Sequence, residues 1–492
     1  MKYTTPEKKG ISSKSIKRYI EKLEQNGLAT HDLIIARGDE IVFEKYWAPF
    51  HKDFLHRMYS VSKSIVSLGV GFAEQDGLVN LDDPIKKYFP EEAAKCPNEA
   101  VKNQTVREML MMATSSDWGK WFQVDSDDRV ELYFLQEGEK KVRPSGTIFE
   151  YDSSGSFVLG AMVERLTGKD LLTYLREKAF DEIGVSKEAY FLMCPGGHSW
   201  GDSALLCTAQ DLLKMARFTM NMGKWNGKQL LNEEYLKKAT SCQIYNNDTG
   251  ARTFDSLGYG YLIWRTYDDS FFFNGMGCQF AICIPHKDLI MIYNGDNQGK
   301  DYAKKVIFDY FYDYVVNEME DDEIEENKED VKALKEYVES LKLIKMEGPC
   351  DSEYKEKING VTYKLDENPM GIKELKFKFE GNKGTLCYTN KQGYKELNFG
   401  LGENVFGLFP QEGYSDEVGS KSVPGNKYKC CASAAWVEPH KIHLYVQIVD
   451  KYFGNVHMTF SFKGNEIGIL MKKTAEYFLM EYNGFAGGKI KE

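Results

Sequence analysis

Tyr59-Ser60-Val61-Ser62-Lys63-Ser64-Ile65-Val66-Ser67-Leu68 sets a Ser-x-x-Lys pair at the mouth of an apolar run. In a helix, residues three apart share one face about a turn away from each other, so the Lys63 amine reaches the Ser60 hydroxyl. A serine hydroxyl is a poor nucleophile until a base takes its proton, and a lysine in a desolvated pocket can have its pKa lowered enough to assist. The helix N-terminus adds backbone N–H groups aimed at negative charge. Nucleophile, base and oxyanion donors are the parts of an acyl-transfer site.

The tetrad alone is cheap, since roughly two or three arise by chance in a chain this long. Context separates the copies. Ser352 to Lys355 lies in the polar run Asp351-Ser352-Glu353-Tyr354-Lys355-Glu356-Lys357 and reads as a solvated coincidence. Ser60 is followed by Ile65, Val66, Leu68, Val70 and Phe72, with Gly69 and Gly71 allowing close packing and Gln75-Asp76-Gly77 as a stop. That pattern predicts a buried helix of about four turns. The competing expectation is that Ser60 merely caps a core helix, as serines in that place commonly do.

Two more blocks follow in order. Pro144-Ser145-Gly146-Thr147-Ile148-Phe149-Glu150-Tyr151-Asp152-Ser153-Ser154-Gly155 reads as a turn, a short extended run with Tyr151 at a loop tip, and a helix start. Phe271-Phe272-Phe273-Asn274-Gly275-Met276-Gly277 leads into the apolar stretches Ile282–Pro285 and Leu289–Tyr293, a strand pair with a glycine-rich approach. With Gly10-Ile11-Ser12-Ser13, Leu81-Asp82-Asp83-Pro84, Leu206–Leu212 and Gly223–Lys228, the chain resembles the β-lactamase-related serine hydrolases over roughly residues 8 to 318. That family includes class C β-lactamases, D-alanyl-D-alanine peptidases, family VIII esterases and 6-aminohexanoate-dimer hydrolases.

The resemblance implies an α+β transpeptidase fold of β-lactamase and penicillin-binding-protein type, an antiparallel sheet made from both ends of the domain with a helical insert. It implies Ser60 as the acylated nucleophile, Lys63 as its partner and Tyr151 as a general base that later helps water attack the acyl-enzyme. It also implies an oxyanion hole from the backbone N–H groups of Ser60 and Met276, with Ser153, Asn274 and Gly275 positioning the substrate. A tyrosine beside a protonated lysine has its pKa drawn down, because the positive charge favours the phenolate. By itself Tyr151 is one of 30 tyrosines.

Two departures narrow the expectation. Tyr151-Asp152-Ser153 stands where many relatives have Tyr-x-Asn, and Phe273-Asn274-Gly275 stands where the β-lactam enzymes have Lys-Thr-Gly or His-x-Gly. Phe273 cannot hold a substrate carboxylate, so neutral esters or amides are favoured over penicillin-like or acyl-D-alanyl-D-alanine substrates. A rival nucleophile, Ser199 in Gly197-His198-Ser199-Trp200-Gly201, fits the α/β-hydrolase elbow pattern. The turn cluster Cys194-Pro195-Gly196-Gly197 separates it from the preceding apolar run, so a loop is the expected setting.

The 492 residues allow two to four domains, 42% apolar composition supports a large core, and a formal charge of -11 argues against nucleic-acid partners. No apolar run is long enough to span a bilayer, and Met1–Gly10 lacks a signal-peptide core. Ten cysteines without a leader predict reduced thiols and a cytoplasmic location. Without Cys-x-x-Cys or His-Glu-x-x-His among the cysteines and eight histidines, neither a metal nor another cofactor is expected.

Three segments are expected: a hydrolase domain over 1–318, an acidic and charged helical linker over 319–347 acting as a solvated connector, and a β-rich domain over 348–492. In the last, alternation at Val361–Leu365, Leu375–Phe379, Gly384–Tyr388, His443–Ile448 and His457–Phe462 predicts a barrel or sandwich. Its role is open among capping the site, recognising substrate and mediating dimerisation, which leaves a homo-oligomer possible. The functional expectation is a cytoplasmic serine esterase or amidase on a small neutral substrate. The alternatives are a D-alanyl-D-alanine peptidase or β-lactamase, and a binding or sensor module that has lost turnover.

Overall fold

The computed structural model describes residues 1–115, 121–122, 124–135, 143–247, 250, 252–414 and 425–491. Its chain contacts divide it into one unit of Met1–Asn297 with Asp301–Lys342 and a second of Gln298–Lys300 with Leu343–Glu492.

In the first unit, seven strands form one sheet: β1 (Lys2–Tyr3), β2 (Thr30–Arg37), β3 (Glu40–Tyr46), β9 (Trp264–Arg265), β10 (Phe271–Asn274), β11 (Phe280–Ile284) and β12 (Leu289–Gly295). Their order is β1-β3-β2-β12-β11-β10-β9. All pairs are antiparallel except β1 with β3. The β2–β3 hairpin turns between Arg37 and Glu40, and β2 pairs with β12 from Leu289 opposite Arg37 to Gly295 opposite Thr30. The sheet is thus made from both ends of the domain, as the family resemblance implied. The near-continuous apolar runs of β11 and β12 are buried on both faces, which is what a strand covered by helices on either side requires.

Helix α1 (Ser13–Gln25) covers one face. Ser12 caps it by accepting from Ser15 N–H, and Ile16, Tyr19, Ile20 and Leu23 point into the core. Helix α11 (Ala303–Phe311) adds Ile307, Phe308 and Phe311 to the same cluster. The connector is not simply solvated. In α12 (Lys328–Ser340) the apolar residues Leu334, Tyr337 and Val338, with Leu341 beyond its end, lie three and four apart and pack against that core.

The insert carries α2 (Val61–Gln75), α3 (Pro90–Lys95), α4 (Glu99–Asn103), α5 (Val106–Leu110), α6 (Arg129–Phe134), α7 (Ser153–Thr167), α8 (Leu171–Leu175), α9 (Ala209–Met220) and α10 (Glu233–Ala239). Short strands β4 (His56–Arg57), β5 (Tyr190–Phe191) and β6 (Leu205–Cys207) form a small sheet of order β4-β6-β5, and β7 (Lys224–Trp225) pairs with β8 (Lys228–Gln229). Every residue of α2 from Val61 to Ala73 is buried. A Cβ on Gly69 would lie 2.7 Å from Leu171 Cδ1, and one on Gly71 would lie 2.5 Å from the Tyr235 ring. The ring cannot drift freely, because the Tyr235 hydroxyl donates to Ser67 O at 2.7 Å. Gly71→Ala is therefore expected to lower unfolding free energy by about 1–2 kcal/mol in urea titration, overpacking outweighing the gain in helix propensity.

The described residues of the second unit hold helix α13 (Glu353–Ile358) and ten strands: β13 (Thr362–Leu365), β14 (Glu374–Glu380), β15 (Lys383–Asn390), β16 (Gly393–Leu401), β17 (Val405–Leu408), β18 (Lys429–Glu438), β19 (Lys441–Ile448), β20 (Asn455–Lys463), β21 (Glu466–Thr474) and β22 (Gly484–Ile490). A parallel contact of Gly400 and Leu401 on β16 with Ser433 and Ala434 on β18 closes nine of them into a barrel, while β17 flanks β18. An odd number of up-and-down strands cannot close with antiparallel pairs alone, so one parallel seam is geometrically required. Phe377, Phe399, Phe460 and Trp436 are buried in this unit. It is a barrel, one of the two β architectures expected.

Candidate active site

The start of α2 is fixed before Ser60 is reached. Met58 N–H donates to Leu205 O at 2.8 Å, and the Ser62 hydroxyl accepts from Leu205 N–H at 3.0 Å, so β6 clamps both sides of residue 60. Tyr59, with φ 44°, occupies the left-handed region that costs a bulky side chain energy, and the chain then turns sharply into the helix. Ser60 stands at the N-cap position in helical conformation, yet its side chain makes no capping hydrogen bond. The cap-only expectation is thereby removed. The Ser60 hydroxyl instead accepts from Lys63 Nζ at 2.9 Å.

Lys63 is 1% exposed. Its amine also donates to the backbone carbonyl of Asp202 at 2.6 Å, a partner that no motif in the sequence announces. That carbonyl is delivered by the Gly-x-Ser-x-Gly segment. A Cβ on Gly201 would come within 2.9 Å of Val66 Cγ2 on α2, so glycine lets the loop lie against the helix and bring the next residue to the amine. Ser199 is buried in that loop, its N–H held by the Glu164 carboxylate at 3.2 Å, and Glu164 also binds His198 Nδ1 at 2.8 Å. The pentapeptide is built as a loop, without the strand that a nucleophile elbow needs.

Tyr151 is brought to the same place. Its ring centroid lies 5.1 Å from Lys63 Nζ, and the ring stacks on Trp264 with centroids 5.7 Å apart. The Tyr151 hydroxyl forms no hydrogen bond among the described residues. Asp152 holds the following turn: it caps α7 by accepting from Gly155 N–H at 3.1 Å and from the Ser154 hydroxyl at 2.5 Å. Burial raises the Asp152 carboxyl above its ordinary pKa, against the lowering effect of those donors. Ser153 opens α7, and among the described residues no side-chain hydrogen bond ties it to Ser60 or Lys63.

The third block lies beside the nucleophile segment. A Cβ on Gly275 would be 2.6 Å from Met58 O, so β10 can approach only because residue 275 is glycine. Gln279, fully buried, braces the turn: its Oε1 accepts from Gly277 N–H at 3.0 Å, its Nε2 donates to Gly295 O at 2.7 Å, and its carbonyl accepts from Gly275 N–H at 2.8 Å. Met276 sits on this turn with half its surface exposed. Among the described residues, the backbone N–H groups of Ser60 and Met276 have no acceptor. Asn274 accepts from Lys304 Nζ of α11 at 3.4 Å, while Phe273 is fully buried. No three His, Cys, Asp or Glu side chains among the described residues gather as a metal would require.

A second buried pair lies just upstream. His56 Nδ1 donates to Arg57 O at 2.8 Å, which leaves its Nε2 to accept from His31 Nδ1 at 2.9 Å. Phe50 stacks on His31 at 3.8 Å. Burial pushes the His56 imidazole down to about 3 and His31 well below its ordinary value, the neighbouring ring adding to the effect on His31.

Comparison with known proteins gives consistent findings. A family model described as Beta-lactamase matches residues 16–309. The 6-aminohexanoate-dimer hydrolase of Paenarthrobacter ureafaciens is 25% identical over 234 residues, 44% of this chain and 58% of that protein, so the chain spans little more than half of this relative. A putative beta-lactamase from Bacteroides dorei superposes with TM-score 0.51 at 18% identity, over 62% of this chain and 98% of the other. EstCE1, a hydrolase with promiscuous acyltransferase activity, does so with TM-score 0.50 at 14% identity, over 61% and 98%. These likenesses speak for the fold of the first unit.

Proposed function

Because the chain belongs to the Beta-lactamase family, a family of hydrolases, we propose that it is a serine esterase or amidase that forms an acyl-enzyme on Ser60 with small neutral substrates. The observation that carries this is the 2.9 Å hydrogen bond between Lys63 Nζ and a Ser60 hydroxyl that caps nothing. Ser60 Oγ attacks the substrate carbonyl while its proton passes to the Lys63–Tyr151 pair, and the N–H groups of Ser60 and Met276 stabilise the oxyanion. Collapse breaks the ester or amide bond and returns that proton to the leaving alcohol or amine. Water, deprotonated by the same pair, then attacks the acyl-enzyme and frees the carboxylic acid and Ser60.

The buried Phe273 in place of a cation supports neutral substrates. One observation favours the second reading, D-alanyl-D-alanine peptidase or β-lactamase activity: Lys304 brings a cation to Asn274. Lys304→Met separates the two, leaving butyrate-ester turnover unchanged under the first and abolishing a preference for carboxylate-bearing substrates under the second. The ten free cysteines support a reducing, cytoplasmic setting as part of the proposal.

Fluorophosphonate labelling of the purified chain, with the modified peptide read by mass spectrometry, tests the central claim. Label is expected on Ser60 and lost in Lys63→Met. Label on Ser199 would move the chemistry to the pentapeptide loop, and an unlabelled protein would favour a binding module without turnover.

A further inference from the structure

The barrel seam leaves an opening. Strand β16 pairs with β15 along its whole length, from Gly393 to Leu401, but meets β18 only at Gly400 and Leu401. From Gly393 to Phe399 its second edge pairs with no strand among the described residues. Residues 409–414 cross this gap, held by hydrogen bonds from Phe409 N–H to Tyr428 O and from Gly413 N–H to Asn426 O, each 2.8 Å. Between them lies a cavity of about 540 Å³, lined by Gln392, Tyr394, Lys395, Leu408, Pro410 and Lys427 together with two glutamates. That volume suits a small organic molecule.

Lys395 forms the base of this cleft. It is 6% exposed, and its amine donates to Pro410 O at 2.9 Å and Gln392 Oε1 at 3.2 Å. Both partners are neutral, and among the described residues no carboxylate lies within ion-pair distance. The acidic groups nearby are engaged elsewhere or more distant. Glu396 accepts from Tyr394 and Lys378, Glu481 accepts from Gln411 and Asn390, and Glu412 and Glu481 act on the amine only at longer range. A buried cation without a counter-ion is uncommon, because a charge taken out of water is ordinarily paired. Burial, and after it the charge of Lys427, push the Lys395 pKa down, and a bound anion would oppose both effects. The walls are of a different kind: Leu408 is 59% exposed and Tyr394 62%, two large apolar surfaces left open beside the cation.

We propose that this cleft is a binding site for a small carboxylic acid with an apolar tail, its carboxylate on Lys395 Nζ and its tail along Leu408 and Tyr394. The carboxylate supplies a counter-ion that no described residue provides at ion-pair distance and can use the third amine hydrogen, and the tail covers apolar surface that otherwise faces water. The class coincides with the acids that ester or amide hydrolysis releases, but the site lies in the barrel and its occupancy does not depend on Ser60.

Isothermal titration of the full chain with hexanoate, hexanamide and acetate tests this. Hexanoate is expected to bind one site saturably, with hexanamide, which lacks the charge, about tenfold weaker or more. Lys395→Met is expected to weaken hexanoate by a similar factor, with ester turnover unchanged. Leu408→Ser, on an exposed wall and safe for folding, is expected to shrink the advantage of hexanoate over acetate. Hexanoate and hexanamide binding alike, affinity retained in Lys395→Met because the acid sits elsewhere, or no saturation up to about 10 mM would each overturn the proposal.

Discussion

Lys63→Met is expected to lower kcat/KM for a short-chain ester by about three to four orders of magnitude while the protein stays folded. Methionine matches the length of lysine and suits a site that is 1% exposed, but it can neither hold the Ser60 hydroxyl nor take its proton. The structural cost is one lost hydrogen bond to Asp202 O, on the order of 1–3 kcal/mol, which a thermal melt followed by circular dichroism would register as a modest shift. Ser199→Ala provides the contrast: its N–H bonds to Glu164 survive the change, and activity is expected to stay within about threefold of wild type. A Lys63→Met enzyme retaining more than a tenth of its activity would remove lysine from the mechanism and leave Tyr151 to act alone.

The second large effect is on stability in acid. His56 is held neutral in the fold with its pKa near 3, whereas in the unfolded chain it returns to about 6.5. The folded pKa is the lower one, so the full contribution of His56 is present above pH 6.5 and is lost progressively as pH falls toward 3. At pH 5 that loss is about 2 kcal/mol, at roughly 1.4 kcal/mol per pH unit. His31, shifted in the same direction, adds to it. Glu24 works the other way. Burial raises its carboxyl to about 7, so its contribution is lost as pH rises through 7 and grows on acidification. The whole-protein curve therefore mixes opposed slopes, and the clean measurement is a difference. Between pH 7 and pH 5, urea-derived stability is expected to fall by about 2 kcal/mol more in wild type than in His56→Gln. Equal falls in the two proteins would show that the pair is not the acid-labile element.

Periodicity was enough to read the buried helix α2, and the three-residue spacing set Lys63 beside Ser60. The sheet made from both ends of the first unit and the approach of Tyr151 to Lys63 came from the family resemblance alone, because neither rests on local spacing. The partner of Lys63 was hidden because it is a backbone carbonyl, which carries no residue-type signal. Its only trace was Gly201, whose absent side chain lets the loop touch Val66, and the same glycine completes the rival elbow pattern around Ser199. The packed edge of α12 was legible in principle, with Leu334, Tyr337, Val338 and Leu341 at helical spacing, but the surrounding charges masked it. The barrel seam was not legible. A contact of two residues between β16 and β18 leaves alternation unchanged, and nothing in a strand's own pattern says which neighbour closes the circle.

The pairing of β2 with β12 also bears on how the chain must be made. During synthesis the β2–β3 hairpin emerges early, with Leu33, Ile34 and Ile35 on an edge whose partner, Leu289–Gly295, is translated far later. At about 5–20 residues per second the wait lasts tens of seconds, far longer than a hairpin takes to form. Over that interval the nascent chain offers an apolar, unpaired strand to any neighbour. Newly made first units are thus expected to depend on chaperone shielding, and ribosomes stalled before codon 289 should release aggregation-prone fragments.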